Sequence, residues 1–293
     1  TQNPTVVGLD PKLEYIPEYI KEKCAAKHGA GLKAAAAALY KFNKGIIDAV
    51  CDIVPAVKPQ AAYYEMYGYY GVKALYKTIK YAQSKGMYVI VDGKRNDIGA
   101  TMDAYSAAYL GSTEVYGERI APFGADALTV NGYLGTDGIE PALKTGGSIF
   151  VLVKTSNKSS GELQDQKIGD KTIYETMGAM CESWGEKTEN HYGYSRVGAV
   201  VGATYPQQLE EMRQKMPHTF FLVPGYGAQG GGAKDVAGAF DKNGLGAVVN
   251  SSRAILTAWK KAGTDGKDFA QQARAAAITM REDIMGVVGK ISL

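Results

Sequence analysis

Eight short apolar runs recur along the 293-residue chain, each separated from the next by a longer stretch, and this alternation restricts the fold more than any other feature. The runs are Val6–Leu9, Ile53–Val57, Tyr88–Val91, Ala127–Val130, Ile149–Val153, Val197–Val201, Phe220–Val223 and Ala247–Val249. Short, continuous apolar segments read as strands buried on both faces. Between them, Leu32–Val50, Val72–Gly86, Met102–Leu110 and Gln207–Met216 carry apolar positions at helical spacing, and Asp268–Val288 supplies a closing helix. A repeated strand–helix unit predicts a parallel sheet. Eight such units in a chain of this length fit a closed α/β fold, the (β/α)8 or TIM barrel, better than an open doubly wound sheet. No Pro-rich or Ser-rich tract divides the chain, so residues 1–293 are expected to form a single domain. Two connections, Pro11–Leu32 and Lys154–Gly169, are longer than a barrel requires. Both fall where barrel enzymes carry substrate-binding loops.

Composition removes several functional classes. A net charge of +3 is too small for a nucleic-acid binder, so any anion must be recognised locally. No run reaches the ~18 apolar residues of a membrane span, and TQNPTVVGLD is not a secretory leader, which predicts a cytoplasmic protein with no membrane partner. The chain opens without Met and almost inside its first strand, so a short N-terminal piece is expected to be missing. Cys24, Cys51 and Cys181 lack CxxC spacing and read as reduced thiols in packing roles. His28, His191 and His218 have no Cys or His partner nearby, so neither a zinc site nor a Ser-His-Asp triad is predicted. Glycine is abundant, 36 residues in short clusters, as expected where backbone approaches a ligand.

In a barrel, the residues at the C-terminal strand ends meet around one pocket. Here those ends carry charge: Gly8-Leu9-Asp10-Pro11, Val57-Lys58-Pro59-Gln60 and Val91-Asp92-Gly93-Lys94. Asp92 and Lys94 are two apart, which on an extended backbone puts both on one side. Asp97 follows at the entry to the next helix, where its simplest role is an N-cap. Burying Asp10, Lys58, Asp92, Lys94 and Asp97 without function would cost several kcal/mol per ion, so the cluster reads as catalytic. A lysine among carboxylates is held protonated and poised as a proton donor. The competing Schiff-base role needs a lysine of lowered pKa, which Lys58 could promote and the two aspartates oppose. The seventh and eighth strands lead into Pro224-Gly225-Tyr226-Gly227-Ala228-Gln229-Gly230-Gly231-Gly232 and Asn250-Ser251-Ser252-Arg253. That is the usual phosphate position in such barrels, with backbone N–H groups and an arginine fork as donors. Asn131 and Ser156 can hydrogen-bond a polar ring or simply form turns.

These motifs, in this order, resemble the orotidine 5′-phosphate decarboxylases, and in particular their longer bacterial branch. The likeness rests on Val7-Gly8-Leu9-Asp10-Pro11, on Lys58, on Asp92-Gly93-Lys94-Arg95-Asn96-Asp97-Ile98, on Val201-Gly202-Ala203-Thr204, on Pro224 through Gly230, and on Arg253. The resemblance implies conversion of orotidine 5′-monophosphate to uridine 5′-monophosphate and carbon dioxide. Lys94 would protonate ring carbon six, and Lys58, Asp92 and Asp97 would complete a Lys-Asp-Lys-Asp array. It further implies that Asp10 contacts ribose, that Ser156 or its neighbour Thr155 meets the pyrimidine amide edge, and that Gln229 and Arg253 hold phosphate. Ile98, Thr101, Pro224 and Gly230 would complete the substrate-binding set. No metal or organic cofactor is implied, and the protein is expected to be a homodimer in which Asp97 and Thr101 reach the partner's site. Two other readings are a metal-dependent keto-sugar-phosphate decarboxylase, which shares the Asp-x-Lys-x-x-Asp core, and a catalytically silent sugar-phosphate-binding barrel.

Overall fold

Eight strands hydrogen-bond in sequence order and close on themselves in a computed structural model that describes residues 2–227 and 232–292. They are β1 (Thr5–Leu9), β2 (Ala56–Pro59), β3 (Tyr88–Arg95), β4 (Ala127–Val130), β5 (Ser148–Lys154), β6 (Val197–Val201), β7 (Phe221–Val223) and β8 (Ala247–Ser251). Each lies beside its sequence neighbour in a parallel barrel, as the βα repeat predicts. Strand residues such as Val7, Val57, Val91, Val130, Val151 and Val201 are fully buried. Each such side chain contributes about 1.5–3 kcal/mol relative to exposure.

The helix Leu32–Val50 has the bounds its periodicity predicts, because Leu39, Phe42, Ile46 and Val50 form one buried face. The second strand begins later than the predicted Ile53. The peptide N–H groups of Ile53 and Val54 still donate to the Val50 carbonyl, prolonging the helix end as a turn, and Pro55 has no N–H to give. Other helices lie close to their predicted positions, at Gly68–Ser84, Gly99–Tyr109, Pro206–Lys215 and Phe269–Val288. The Pro11–Leu32 connection contains a helix, Glu18–His28. Lys154–Gly169 contains a 3-10 turn at Lys158–Glu162, and Lys167–Ile168 pairs with Lys171–Thr172 as a hairpin. A further hairpin, Thr113–Val115 with Glu118–Ile120, had no counterpart in the sequence reading. Its loop, Tyr116-Gly117, has positive φ at both residues, as tight hairpins require.

The chain packs as two compact units. The first comprises Asn3–Gly93 and Ser251–Glu282. Within it Phe42 packs against Phe269 with ring centroids 5.0 Å apart. Buried Tyr64 accepts from Asn43 Nδ2 at 2.8 Å and donates to the Leu9 carbonyl at 3.3 Å, anchoring the end of β1. The second comprises Lys94–Asn250 and the stretch from Asp283. Its helix Ile173–Gly185 starts with a capping box in which Thr172 and Glu175 satisfy each other's backbone N–H groups.

Candidate active site

In the first unit the charged strand ends come together. Lys58 Nζ, on β2, donates to Asp92 Oδ2, on β3, at 2.8 Å, and the two side chains are only 6% and 11% exposed. Burial alone would depress the lysine pKa. The negative charges of Asp92 and Asp10, with the Asp92 hydrogen bond, outweigh it and hold the ammonium above its ordinary value. The Asp92 carbonyl accepts from the Ala61 N–H at 3.1 Å, and Gln60 bridges to Asp92, so the ends of both strands are fixed. Asp10 Oδ1 is buried with no hydrogen-bond partner among the described residues. Such an acceptor costs about 1–3 kcal/mol unless a donor arrives with a ligand.

Beyond Gly93 the chain enters the second unit, and the period-two expectation for Asp92 and Lys94 fails there. Lys94 adopts φ +48°, a left-handed backbone, so the strand is not extended at that residue. Asp92 is buried and Lys94 exposed. Among the described residues only Gln2 and Tyr116 share a positive φ without being glycine; one is at the terminus, the other in the hairpin loop. A lysine there costs roughly 1–2 kcal/mol of backbone strain and persists only if its surroundings impose it. They do: its N–H donates to Thr129 Oγ1 at 2.9 Å, and the next carbonyl, of Arg95, accepts from Asn131 N–H at 3.2 Å. The Arg95 guanidinium donates to the Tyr109 hydroxyl at 3.2 Å.

Asp97 is not the N-cap. The helix Gly99–Tyr109 is capped at Ile98 without a side-chain bond, and Asp97 Oδ1 accepts from the Ile98 N–H at 2.8 Å. Ile98 is 53% exposed and Thr101 is exposed on the same helix start.

Elsewhere in the second unit, the end of β5 separates the two candidates for the pyrimidine edge. The Thr155 hydroxyl donates to Asn157 Oδ1 at 2.6 Å and accepts from Gln164 Nε2 at 2.8 Å, so it is engaged within its own loop. Ser156 instead packs against Gly202: a Cβ there would fall 2.9 Å from the Ser156 Cβ. That close approach accounts for the glycine of Val201-Gly202-Ala203-Thr204, and Thr204 Oγ1 donates to the Ser156 carbonyl at 3.2 Å. After β7, the Pro224 carbonyl accepts from the Ala203 N–H at 3.0 Å, and Gly225 and Gly227 have positive φ. Gln229 and Gly230 lie outside the described residues. Arg253 is exposed and opens the short helix Arg253–Leu256.

One residue escaped the sequence reading. Lys154 closes an apolar strand as Lys58 does, and it is buried. Its Nζ donates to Asp165 Oδ1 at 2.5 Å. The shared signal, a lone lysine ending an apolar run, was available in both places.

Known proteins resemble this chain throughout its length. A family model described as "Orotidine 5'-phosphate decarboxylase / HUMPS family" matches residues 7–264. Orotidine 5′-phosphate decarboxylase of Rhodopirellula baltica is 47% identical over 294 residues, covering 98% of this chain and 95% of that protein. The solved OMP decarboxylase of Leishmania donovani superposes with a TM-score of 0.75 at 31% identity, covering 98% of this chain and 94% of its own. UMP synthase of the same organism gives 0.77 at 32% identity, and there the chain spans 54% of the larger protein. With that match, and with a lysine–aspartate pair buried where β2 and β3 of a parallel barrel end, the chain belongs to the orotidine 5′-phosphate decarboxylase family.

Proposed function

We propose that this chain, as one barrel domain in the cytoplasm, decarboxylates orotidine 5′-monophosphate to uridine 5′-monophosphate without a metal or organic cofactor. The observation that carries the reading is the dry Lys58–Asp92 pair, with Asp10 beside it. It supplies fixed charge in a poorly solvated place, where charge acts strongly and needs no rearrangement during reaction. When the bond from ring carbon six to the carboxylate breaks, the electron pair stays on that carbon. Lys94 delivers a proton to it and is reprotonated from solvent. The strained backbone at Lys94 supports this assignment, since strain is kept where orientation matters. The unsatisfied Asp10 Oδ1 suits a ribose hydroxyl donor. Because Thr155 is engaged within its loop, Ser156 is the better candidate for the pyrimidine amide edge. Gln229, Gly230, Pro224 and Arg253 are assigned to phosphate and its loop, on the resemblance alone. The exposed Ile98 and Thr101, next to Asp97, favour a homodimer in which this segment enters the partner's site.

A metal-dependent keto-sugar-phosphate decarboxylase would need the Asp92 carboxylate turned to an ion, whereas here Lys58 occupies one of its oxygens. The test follows the loss of orotidine monophosphate absorbance with pure protein, beside Lys94→Ala and with chelator present. Wild-type turnover that survives chelation and falls by about 10³-fold or more in Lys94→Ala is expected, the scale for losing a transition-state charge stabiliser. Retained activity in Lys94→Ala removes the lysine from the mechanism, and abolition by chelator favours the metal enzyme.

A further inference from the structure

The loop after β5 is held by hydrogen bonds among its own residues, Thr155 with Asn157 and Gln164 among them, and not by an apolar core. Its one large apolar residue, Leu163, is 55% exposed, and between Thr155 and Gln166 only Ser160 is buried. A segment with so few buried apolar groups is ordinarily among the first to open. What the loop has in place of a core is Lys154, whose side chain is 1% exposed. The ammonium donates to Asp165 Oδ1 at 2.5 Å and to Ser160 Oγ at 3.3 Å. It also lies 5.4 Å from the ring centroid of Tyr174 and 5.0 Å from that of Tyr205. One buried cation therefore joins two points of the loop to the starts of two helices.

The strand is shaped to allow this. Along β5 and β6, Leu152 pairs with Val200, but Lys154 and not Val153 pairs with Val201. The extra residue is a bulge, a device that redirects the side chains following it. The Lys154 carbonyl meanwhile accepts from the Gly202 N–H at 2.8 Å, and Gly202 is the residue against which Ser156 packs. Ser156 is thus held on the side of the β6 end, by Gly202 and Thr204, and runs directly into the loop that Lys154 gathers.

We propose that Lys154 is a positioning residue for substrate recognition, acting through the loop it tethers to set Ser156 against the pyrimidine. The inference rests on the decarboxylase reading and on the role of Ser156 within it. Removing the charge with Lys154→Met should free the loop and weaken recognition in ground and transition states alike. The KM for orotidine monophosphate should rise about tenfold or more while kcat changes little, the mark of lost uniform binding. Lys154→Arg should recover part of the loss.

The experiment is a double-mutant cycle of Lys154→Met with Ser156→Ala, read as kcat/KM, with amide hydrogen exchange of residues 155–166 in the substrate-free protein. The double variant should be no worse than the poorer single one, because the two residues share one contact. Multiplying defects would overturn the inference while leaving the decarboxylase reading intact. A silent Ser156→Ala would remove the role of Ser156 and the inference with it. Unchanged exchange in Lys154→Met would overturn the tether whatever the activity, including in a protein that fails to turn over orotidine monophosphate. Should Lys154→Met fail to fold, Asp165→Asn takes its place in the cycle; with a half-exposed carboxylate, it should raise KM only about two- to fivefold and leave the fold intact.

Discussion

Lys58 and Lys154 each close a barrel strand, are buried, and bond an aspartate, yet they belong to different kinds of device. The aspartate of Lys58 sits on the adjacent strand and is itself 11% exposed. That of Lys154 sits eleven residues on, in a loop, and is 42% exposed. The first pair is nearly buried on both sides and joined strand to strand, an arrangement suited to a fixed field. The second has water on one side and a weakly packed segment attached, so it acts as a fastening. On the roles proposed for these lysines, a similar lysine–aspartate distance serves charge stabilisation in one unit and loop placement in the other, and the partner's surroundings decide which.

The comparison breaks most visibly if Asp92→Asn is tolerated. Removing one member of a buried pair leaves the other uncompensated, a cost of about 3–5 kcal/mol, which denaturant titration should register. Turnover of orotidine monophosphate should fall by about 10³-fold, the scale of a lost preorganised charge. The corresponding change in the second unit, Asp165→Asn, should lower stability by no more than about 1 kcal/mol, since its carboxylate is partly solvated. A loss as large as that of Asp92→Asn would mean both pairs are of one kind. The smallest effect concerns pH. Because the Lys58 pKa is raised in the folded protein, its contribution is fully present below the ordinary lysine value of 10.5 and is lost only as pH rises through the higher folded value. The difference in unfolding free energy between wild type and the double variant Lys58→Met/Asp92→Asn, which leaves no uncompensated carboxylate of the pair, should therefore be flat from about pH 6 to pH 9. A slope within that range would contradict the assignment of the ammonium as permanently charged.

Much of this was legible in the sequence. Eight apolar runs gave eight barrel strands, because burial on both faces leaves a continuous apolar signature that tolerates small errors in bounds. Lys58 and Asp92 stood out as charges interrupting such runs. The Thr113–Ile120 hairpin did not, since all six of its strand residues are exposed and no apolar pattern marks them. The cap role that stood beside the catalytic one for Asp97 fails in the structure: helix starts favour aspartate, but the sequence does not tell which residue begins the helix. The tether of Lys154 was hidden for a different reason: Asp165 lies in a loop, at a separation that no regular period links to the strand. Nor could the Lys94 backbone be foreseen, for its φ is imposed by Thr129 and Asn131, residues more than thirty positions away.

That left-handed lysine bears on how such a chain evolves. The backbone there suits glycine better than any side chain, so on the catalytic role proposed for Lys94 the position resists drift only while the reaction is under selection. In a lineage released from that demand, glycine or asparagine at this site would relieve strain and spread without harm to folding. The identity of a single residue can therefore serve as a record of whether a descendant barrel still works for its living.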